Sequence, residues 1–301
     1  TAVMEMAEAS GITLVKEPLN PWKAASTGVG EMILDAVQKG CRKFIIGIGG
    51  SATTEGGIGM LSALGYDFMD ENGDILPPVF ASLEKVVQIE INRVPEMLKD
   101  CHFQIACDVT NPLCGVEGCV YVFGAQKGVK EEEKESMDRA MQSYAACLEK
   151  FTGKKFSEIP GTGAAGGLGF AFLWGLPNVE LKPGIDIVLE AVGLTNELKD
   201  ADVVVTGEGC LDFQTAMGKV PVGVAKTAKN YNCKVIAFAG SVTEEAKNCN
   251  EKGIDAFFSI LPGVCSLDEA MDTEIAQKNM RNAAEQVFRL ILTLLKEKCY
   301  E

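Results

Sequence analysis

The sequence predicts an α/β protein of two domains. Three observations predict it: a length of 301 residues, about twice a usual single domain; short β-rich runs alternating with helical stretches; and glycine-rich segments directly after several predicted strands. Glycine, at 32 residues, exceeds its usual share of roughly 7%. The elements follow in order.

Residues 2–9 (AVMEMAEA) are strong helix formers, stopped by Ser10-Gly11. Residues 28–39 place Met32, Ile33, Ala36 and Val37 on one helical face and end at Gly40. Residues 43–48 (KFIIGI) read as a buried strand running into a glycine loop, after which a helix resumes within 52–64. Residues 66–68 and 75–76 read as a hairpin, because the Asn72-Gly73 pair between them favours a tight turn. Strands follow at 86–91 and 103–107, the second ending in Asp108. The acids Glu131 to Glu133 open a long amphipathic helix reaching Phe151, since acids suit a helix N-terminus. A second glycine-rich stretch, 161–169, enters the apolar run 170–176.

From Ala201 the pattern is regular. A strand at 203–205 is followed by a glycine loop, a helix at 222–229, strands at 235–239 and 257–260, and a closing helix over 269–298. The apolar face of that helix (Val287, Leu290, Ile291, Leu294, Leu295) suits a homo-oligomer interface as readily as a core. A domain boundary falls near Asn196 to Asp200, giving domains 1–197 and 198–301.

Charge excludes some functions. The 42 acids outnumber the 28 bases, and a net −14 repels phosphate backbones and anionic lipid, so the chain is no general nucleic-acid or membrane-surface binder. No uninterrupted apolar run reaches the roughly 18 residues of a membrane span, and residues 1–10 form no signal peptide. Eleven cysteines in apolar contexts fit free thiols in a reducing, cytoplasmic compartment. There is no CxxC pair, and His102 is the single histidine, which argues against structural zinc and against Ser-His or Cys-His catalysis.

Chemistry concentrates in four segments. Residues 47–59 hold six glycines in thirteen positions after a strand. Backbone N–H groups at Gly49, Gly50, Gly56 and Gly57, with the hydroxyls of Ser51, Thr53 and Thr54, suit a phosphate or carboxylate. The loop is neither a Walker A loop nor a clean dinucleotide fingerprint, and no acid on a following strand supports a nicotinamide oxidoreductase. Residues 206–219 gather Glu208, Asp212 and Lys219 at a strand's carboxyl end, where open α/β sheets bind ligands. The acids there suit a magnesium ion or a hydroxyl proton, the lysine a phosphate, and the alternative is a polar loop capping the next helix. Asp108 is open to two readings, a metal ligand or the start of an Asx turn before Asn111-Pro112; Lys127 follows nearby in 124–128. Gly166 and Gly167, in 161–169, form either a second anion cradle or a small-residue packing seam. Phosphoryl transfer uses all these parts, since its catalysis is largely positioning and charge neutralisation.

GIGGSATTEGGIGMLSALG (47–65), ACDVTNPLCG (106–115), FGAQKG (123–128), GTGAAGGLG (161–169) and TGEGCLDFQTAMGKVPVGVA (206–225) resemble, in the same order, the type I glycerate kinases. The resemblance implies ATP- and magnesium-dependent phosphorylation of D-glycerate, giving 2-phosphoglycerate. It implies a mixed-sheet α/β domain over 1–197 carrying the glycine loops and a flavodoxin-like domain, three-layered with a parallel sheet, over 198–301, the latter incomplete without the family's leading segment, with the active site between them. It makes Asp108, Glu208 and Asp212 candidates for metal or hydroxyl contacts, with Asp108 and Asp212 the metal ligands and Lys127 and Lys219 the charge-neutralising groups. Where the family has Asn-Asp this chain has Thr54-Glu55, and Gly-Pro-Gln-Lys becomes Gly-Ala-Gln-Lys at 124–127. The family's leading Asp-Ser-Phe-Lys-Gly and Ala-Asp-Gly-Gly-Glu-Gly motifs do not occur, which supports an alternative expectation: a catalytically incomplete fragment that binds nucleotide or glycerate without turnover. A chain at −14 that admits two anionic substrates is expected to concentrate its lysines and N–H loops at one cleft.

Overall fold

Parallel sheets flanked by helices make the protein an α/β fold. The computed structural model describes residues 1–16 and 18–298, with side chains to residue 294. The chain divides into two compact units, Thr1–Ile187 and Val188–Glu301.

The first unit opens with β1 (Ala2–Glu5), α1 (Ala7–Ser10), α2 (Thr27–Gln38), β2 (Lys43–Gly47) and α3 (Ile58–Ala63). There follow β3 (Asp67–Met69), β4 (Gln88–Glu90), β5 (His102–Ala106), α4 (Cys119–Phe123) and α5 (Lys134–Thr152). It ends with α6 (Ala164–Gly175), β6 (Val179–Lys182) and α7 (Gly184–Ala191), the last of which carries the boundary between units. The main sheet has strand order β1-β2-β5-β6, all parallel. Alternation along β2 and β5 sends Phe44, Ile46, Phe103 and Ile105 into the core, where Phe44 and Phe103 are in register and stack at 4.7 Å. Helix α2 buries Val29, Ile33, Ala36 and Val37. Helix α5 buries Met137, Met141, Tyr144 and Leu148 at helical spacing, the methionine and leucine side chains contributing about 1.5–3 kcal/mol each.

The first four residues depart from the expected helix. Ala2–Glu5 form a strand whose register runs from Ala2 against Phe44 to Glu5 against Gly47. The ladder offered by β2 overrides a helix propensity worth only tenths of a kcal/mol per residue, about 0 to 0.7. The expected hairpin is also different. Asp70 Oδ1 accepts N–H bonds from Asn72 (2.9 Å) and Asp74 (3.0 Å), so the turn forms, but Ile75 makes only an isolated bridge to Met69. The partner of β3 is β4, antiparallel.

The second unit contains α8 (Leu194–Glu197), β7 (Val203–Leu211), α9 (Phe213–Ala216), α10 (Val220–Lys229), β8 (Lys234–Val242), β9 (Ala256–Ser259), α11 (Leu267–Met271) and α12 (Thr273–Lys298). Its sheet is parallel, ordered β7-β8-β9, over a separate core including Leu198, Val222, Val235, Ala237 and Ile254. Strand β7 outlasts the expected 203–205 because pairing with β8 continues to Leu211 against Val242. Gly207 permits this: a Cβ there would lie 2.3 Å from the Phe238 carbonyl oxygen. On α12, Leu290 and Leu294 are exposed, and the side chain of Leu295 lies outside the described residues. Among the described residues, no helix is long and apolar enough to cross a membrane.

Candidate active site

The site in the first unit grows from the carboxyl ends of β2 and β5. After Gly47 the chain turns through Gly49 and Gly50, the latter with φ of +69°. The segment 10–12 pins this loop through Ile12 N–H to the Gly50 carbonyl and Ala52 N–H to the Ser10 carbonyl, both 2.9 Å. Cys107 and Asp108 arrive from β5, and Gln126 and Lys127 from the turn after α4. Together with Ala164 and Ala165 at the start of α6, these residues line a cleft of about 320 Å³. A Cβ on Gly49 would meet nothing within 4 Å, so packing does not demand glycine there.

Lys127 is the single cation among the described residues lining the cleft, and it is 3% exposed. Its Nζ donates to Ser51 Oγ and to the Thr53 carbonyl, both at 2.7 Å. Burial pulls its pKa down to about 8, against the opposing pull of Cys119 and Glu55. A buried ammonium set behind a glycine loop supplies positive charge where dielectric screening is weak. In the first unit's cleft one buried lysine stands with the backbone of the glycine loop.

Other loop residues face inward. Thr53 and Thr54 are buried, and their hydroxyls have no hydrogen-bond partner among the described residues. Gly56, Gly57, Gly166 and Gly167 do not line the cleft. All four have positive φ, and a Cβ on Gly57 would lie 2.2 Å from that of Ala171, one on Gly166 2.1 Å from the Thr53 carbonyl oxygen. The Gly56 N–H donates to the Gly166 carbonyl at 2.9 Å. This is backbone laid on backbone, the packing-seam alternative of the sequence.

Asp108 is exposed, lines the cleft, and accepts the Gly184 N–H at 2.9 Å through Oδ1, so it caps α7 and starts no Asx turn. His102, exposed at the start of β5, is not among the cleft residues.

In the second unit, Glu208 lies on β7 and Asp212 caps α9. The buried Thr215 joins them: its hydroxyl donates to Glu208 Oε1, its N–H donates to Asp212 Oδ1 at 3.0 Å, and its Oγ1 accepts the Asp212 N–H at 3.1 Å. Lys219 Nζ stands 3.6 Å from Asp212 Oδ1. The Thr215 N–H, with help from Lys219, holds the Asp212 carboxyl below the usual range. Thr215 was legible as the N3 position of a capping box opened by Asp212, a signal carried by a side chain that does not titrate. Among the described residues no cluster of three or more His, Cys, Asp or Glu side chains is placed to hold a metal by itself.

A glycine loop at the carboxyl edge of a parallel sheet, with a buried lysine behind it and Asp108 at the end of the neighbouring strand, is an arrangement that suits a phosphotransferase of the α/β class. The model of the Glycerate kinase family matches residues 1–292. The glycerate 2-kinase of Escherichia coli K12 is 45% identical over 271 residues, 90% of this chain and 71% of the relative. The glycerate kinase of Bacillus subtilis 168 is 42% identical over 290 residues, 95% and 76% of the two chains. A crystal structure from Salmonella typhimurium LT2, described as a glycerate kinase 2, superposes with a TM-score of 0.83 at 41% identity, covering 95% of this chain and 75% of that one. The chain belongs to the glycerate kinase family.

Proposed function

We propose that the protein transfers the γ-phosphoryl group of ATP to the 2-hydroxyl of D-glycerate, giving ADP and 2-phosphoglycerate. The observation that carries this reading is the Lys127-backed glycine loop in a chain of this family. The choice of hydroxyl follows the name of the Escherichia coli relative. In the reaction the oxygen–phosphorus bond to ADP breaks as the glycerate oxygen bonds phosphorus, and the hydroxyl proton passes to a carboxylate. The Gly49-Gly50-Ser51 backbone and Lys127 hold one substrate's anionic group, while Lys219 offsets charge that develops on the transferred group.

Glu208 suits the proton acceptor: its Oε1 accepts the Thr215 hydroxyl but its Oε2 accepts no hydrogen bond from a described residue, whereas Asp212 caps α9 and stands beside Lys219. Asp108 fits a magnesium ion: it is a hard oxygen donor at the cleft whose Oδ2 accepts no hydrogen bond from a described residue. Magnesium is held by one or two carboxylates plus substrate phosphates, and when bound it neutralises phosphate charge. Free thiols at all ten described cysteines suit a reducing cytoplasm.

A coupled assay for ADP with D-glycerate, ATP and magnesium, followed by phosphorus NMR of the product, tests activity and regiochemistry together. A 2-phosphoglycerate signal is expected. Absence of ADP release overturns the kinase reading, and ligand binding without turnover favours the incomplete-fragment alternative.

A further inference from the structure

Glu55 has no part in the chemistry above, yet it is a carboxylate with 0% exposure in the middle of the glycine loop. Burying a carboxylate is costly unless its oxygens are hydrogen-bonded. All its described contacts are donors. Oε1 accepts the Ser26 N–H (2.8 Å), the Ser26 hydroxyl and the Gly59 N–H (3.2 Å); Oε2 accepts the Gly57 N–H (3.4 Å). These donors belong to two places, the entry of α2 and the first turn of α3, where backbone N–H groups lack helical partners. Ser26 precedes α2 but its hydroxyl does not cap that helix; it bonds Glu55 and accepts the Met60 N–H at 2.9 Å. The packing is close, since a Cβ on Gly59 would lie 2.7 Å from Ser26 N and 2.8 Å from Glu55 Oε1.

On its other face the loop is held by the Gly56 N–H bond to the Gly166 carbonyl and the seam with α6, and on the α2 side the described hydrogen-bond anchor is Glu55 with Ser26. The Thr53 and Thr54 hydroxyls bond nothing described, while Lys127 and segment 10–12 hold positions 50–53. We propose that Glu55 is a positioning residue: by tying residues 55–59 to Ser26, it fixes residues 49–54 in the shape that receives a substrate's anionic group. Hydrogen-bond geometry does this, and no proton is transferred at Glu55; its charge acts separately, by opposing the burial that lowers the Lys127 pKa. The inference rests on the kinase reading only for its turnover assay.

Three variants test it. Glu55→Gln keeps an oxygen at the Oε1 position and loses only the long Gly57 bond at Oε2, so at a pH below the Lys127 pKa both KM values and kcat are expected within about threefold of the original. Glu55→Ala leaves N–H groups unpaired and frees the loop; the KM for whichever substrate the loop holds, ATP or D-glycerate, is expected to rise about tenfold or more while kcat stays within about threefold. Ser26→Ala should raise that same KM by about three- to tenfold, which keeps the test open if the Glu55→Ala protein fails to fold. A lowered Tm with unchanged KM in the folded protein marks a role in stability alone and overturns the proposal. A comparable loss of kcat in Glu55→Gln and Glu55→Ala marks a chemical role and overturns it too. Calorimetric titration with ATP and with D-glycerate gives the same ratios without turnover. A parent protein that binds but does not turn over therefore fails the kinase reading while still deciding Glu55, and one that binds neither ligand overturns both.

Discussion

Lys127 is the residue on which pH acts most directly. Burial lowers its pKa from 10.5 to about 8, so the folded protein releases this proton before the unfolded chain does. Between those values the unfolded state binds more protons, and stability gains from this residue as pH rises from about 8 towards 10.5. Activity runs the other way, because the neutral amine no longer supplies charge to the loop. We expect kcat/KM to fall through an apparent pKa of about 8 in a pH–rate profile, and the stability of the parent relative to Lys127→Met, measured by denaturant titration, to increase over the same range. Asp108 separates capping from chemistry. Asp108→Asn keeps an acceptor for the Gly184 N–H, so its Tm should match the parent's, while loss of the carboxylate lowers kcat/KM by about 100-fold; equal activity of the two proteins would remove Asp108 from the mechanism. The sequence made Ser51, Thr53 and Thr54 equivalent hydroxyls, and a one-dimensional pattern carries no sign of which way each side chain turns. Folding decides it: Ser51 meets Lys127 while Thr53 and Thr54 face inward.

At the scale of elements, the glycines that looked alike fall into two kinds, which substitution distinguishes. Gly166→Ala forces a Cβ to 2.1 Å from the Thr53 carbonyl oxygen at a φ of +67°. The seam between the 53–56 loop and α6 must open, and a loss of about 2–4 kcal/mol is expected in chemical denaturation. Gly49→Ala meets no protein atom within 4 Å, so its stability should stay within about 0.5 kcal/mol of the parent while the KM of the loop's substrate rises. An unchanged KM in Gly49→Ala would show that no ligand approaches there. Legibility followed the same division between local and non-local causes. Helices α2 and α5 were readable because their apolar spacing is written within each segment. Strand β1 was not, because Ala2–Glu5 become a strand only by pairing with residues some forty positions away. The end of β7 was hidden likewise, since its glycines resemble a loop until Phe238 lies alongside.

At the scale of the whole molecule, a net −14 is served at the first unit's cleft by one buried lysine and backbone N–H groups. Backbone donors carry no formal charge, so composition counts nothing for them. The two units also divide the candidate chemistry. Every cleft residue of the first unit lies between Ile12 and Ala165, and its core cluster, from Met6 to Leu176, includes no residue beyond 187. The same holds for its sheet, whose last strand ends at Lys182. A domain with its own core folds as a unit. Residues 1–191, which keep α7 whole, are therefore expected to give a single cooperative thermal transition when expressed alone. The isolated unit keeps the glycine loop, Lys127 and Asp108, so calorimetry should detect one of the two substrates. It lacks Glu208, Asp212 and Lys219, so no ADP should form. Turnover by residues 1–191 would show that the second unit's acids and lysine take no part in phosphoryl transfer, and failure to fold would show that the first unit depends on residues beyond its own core.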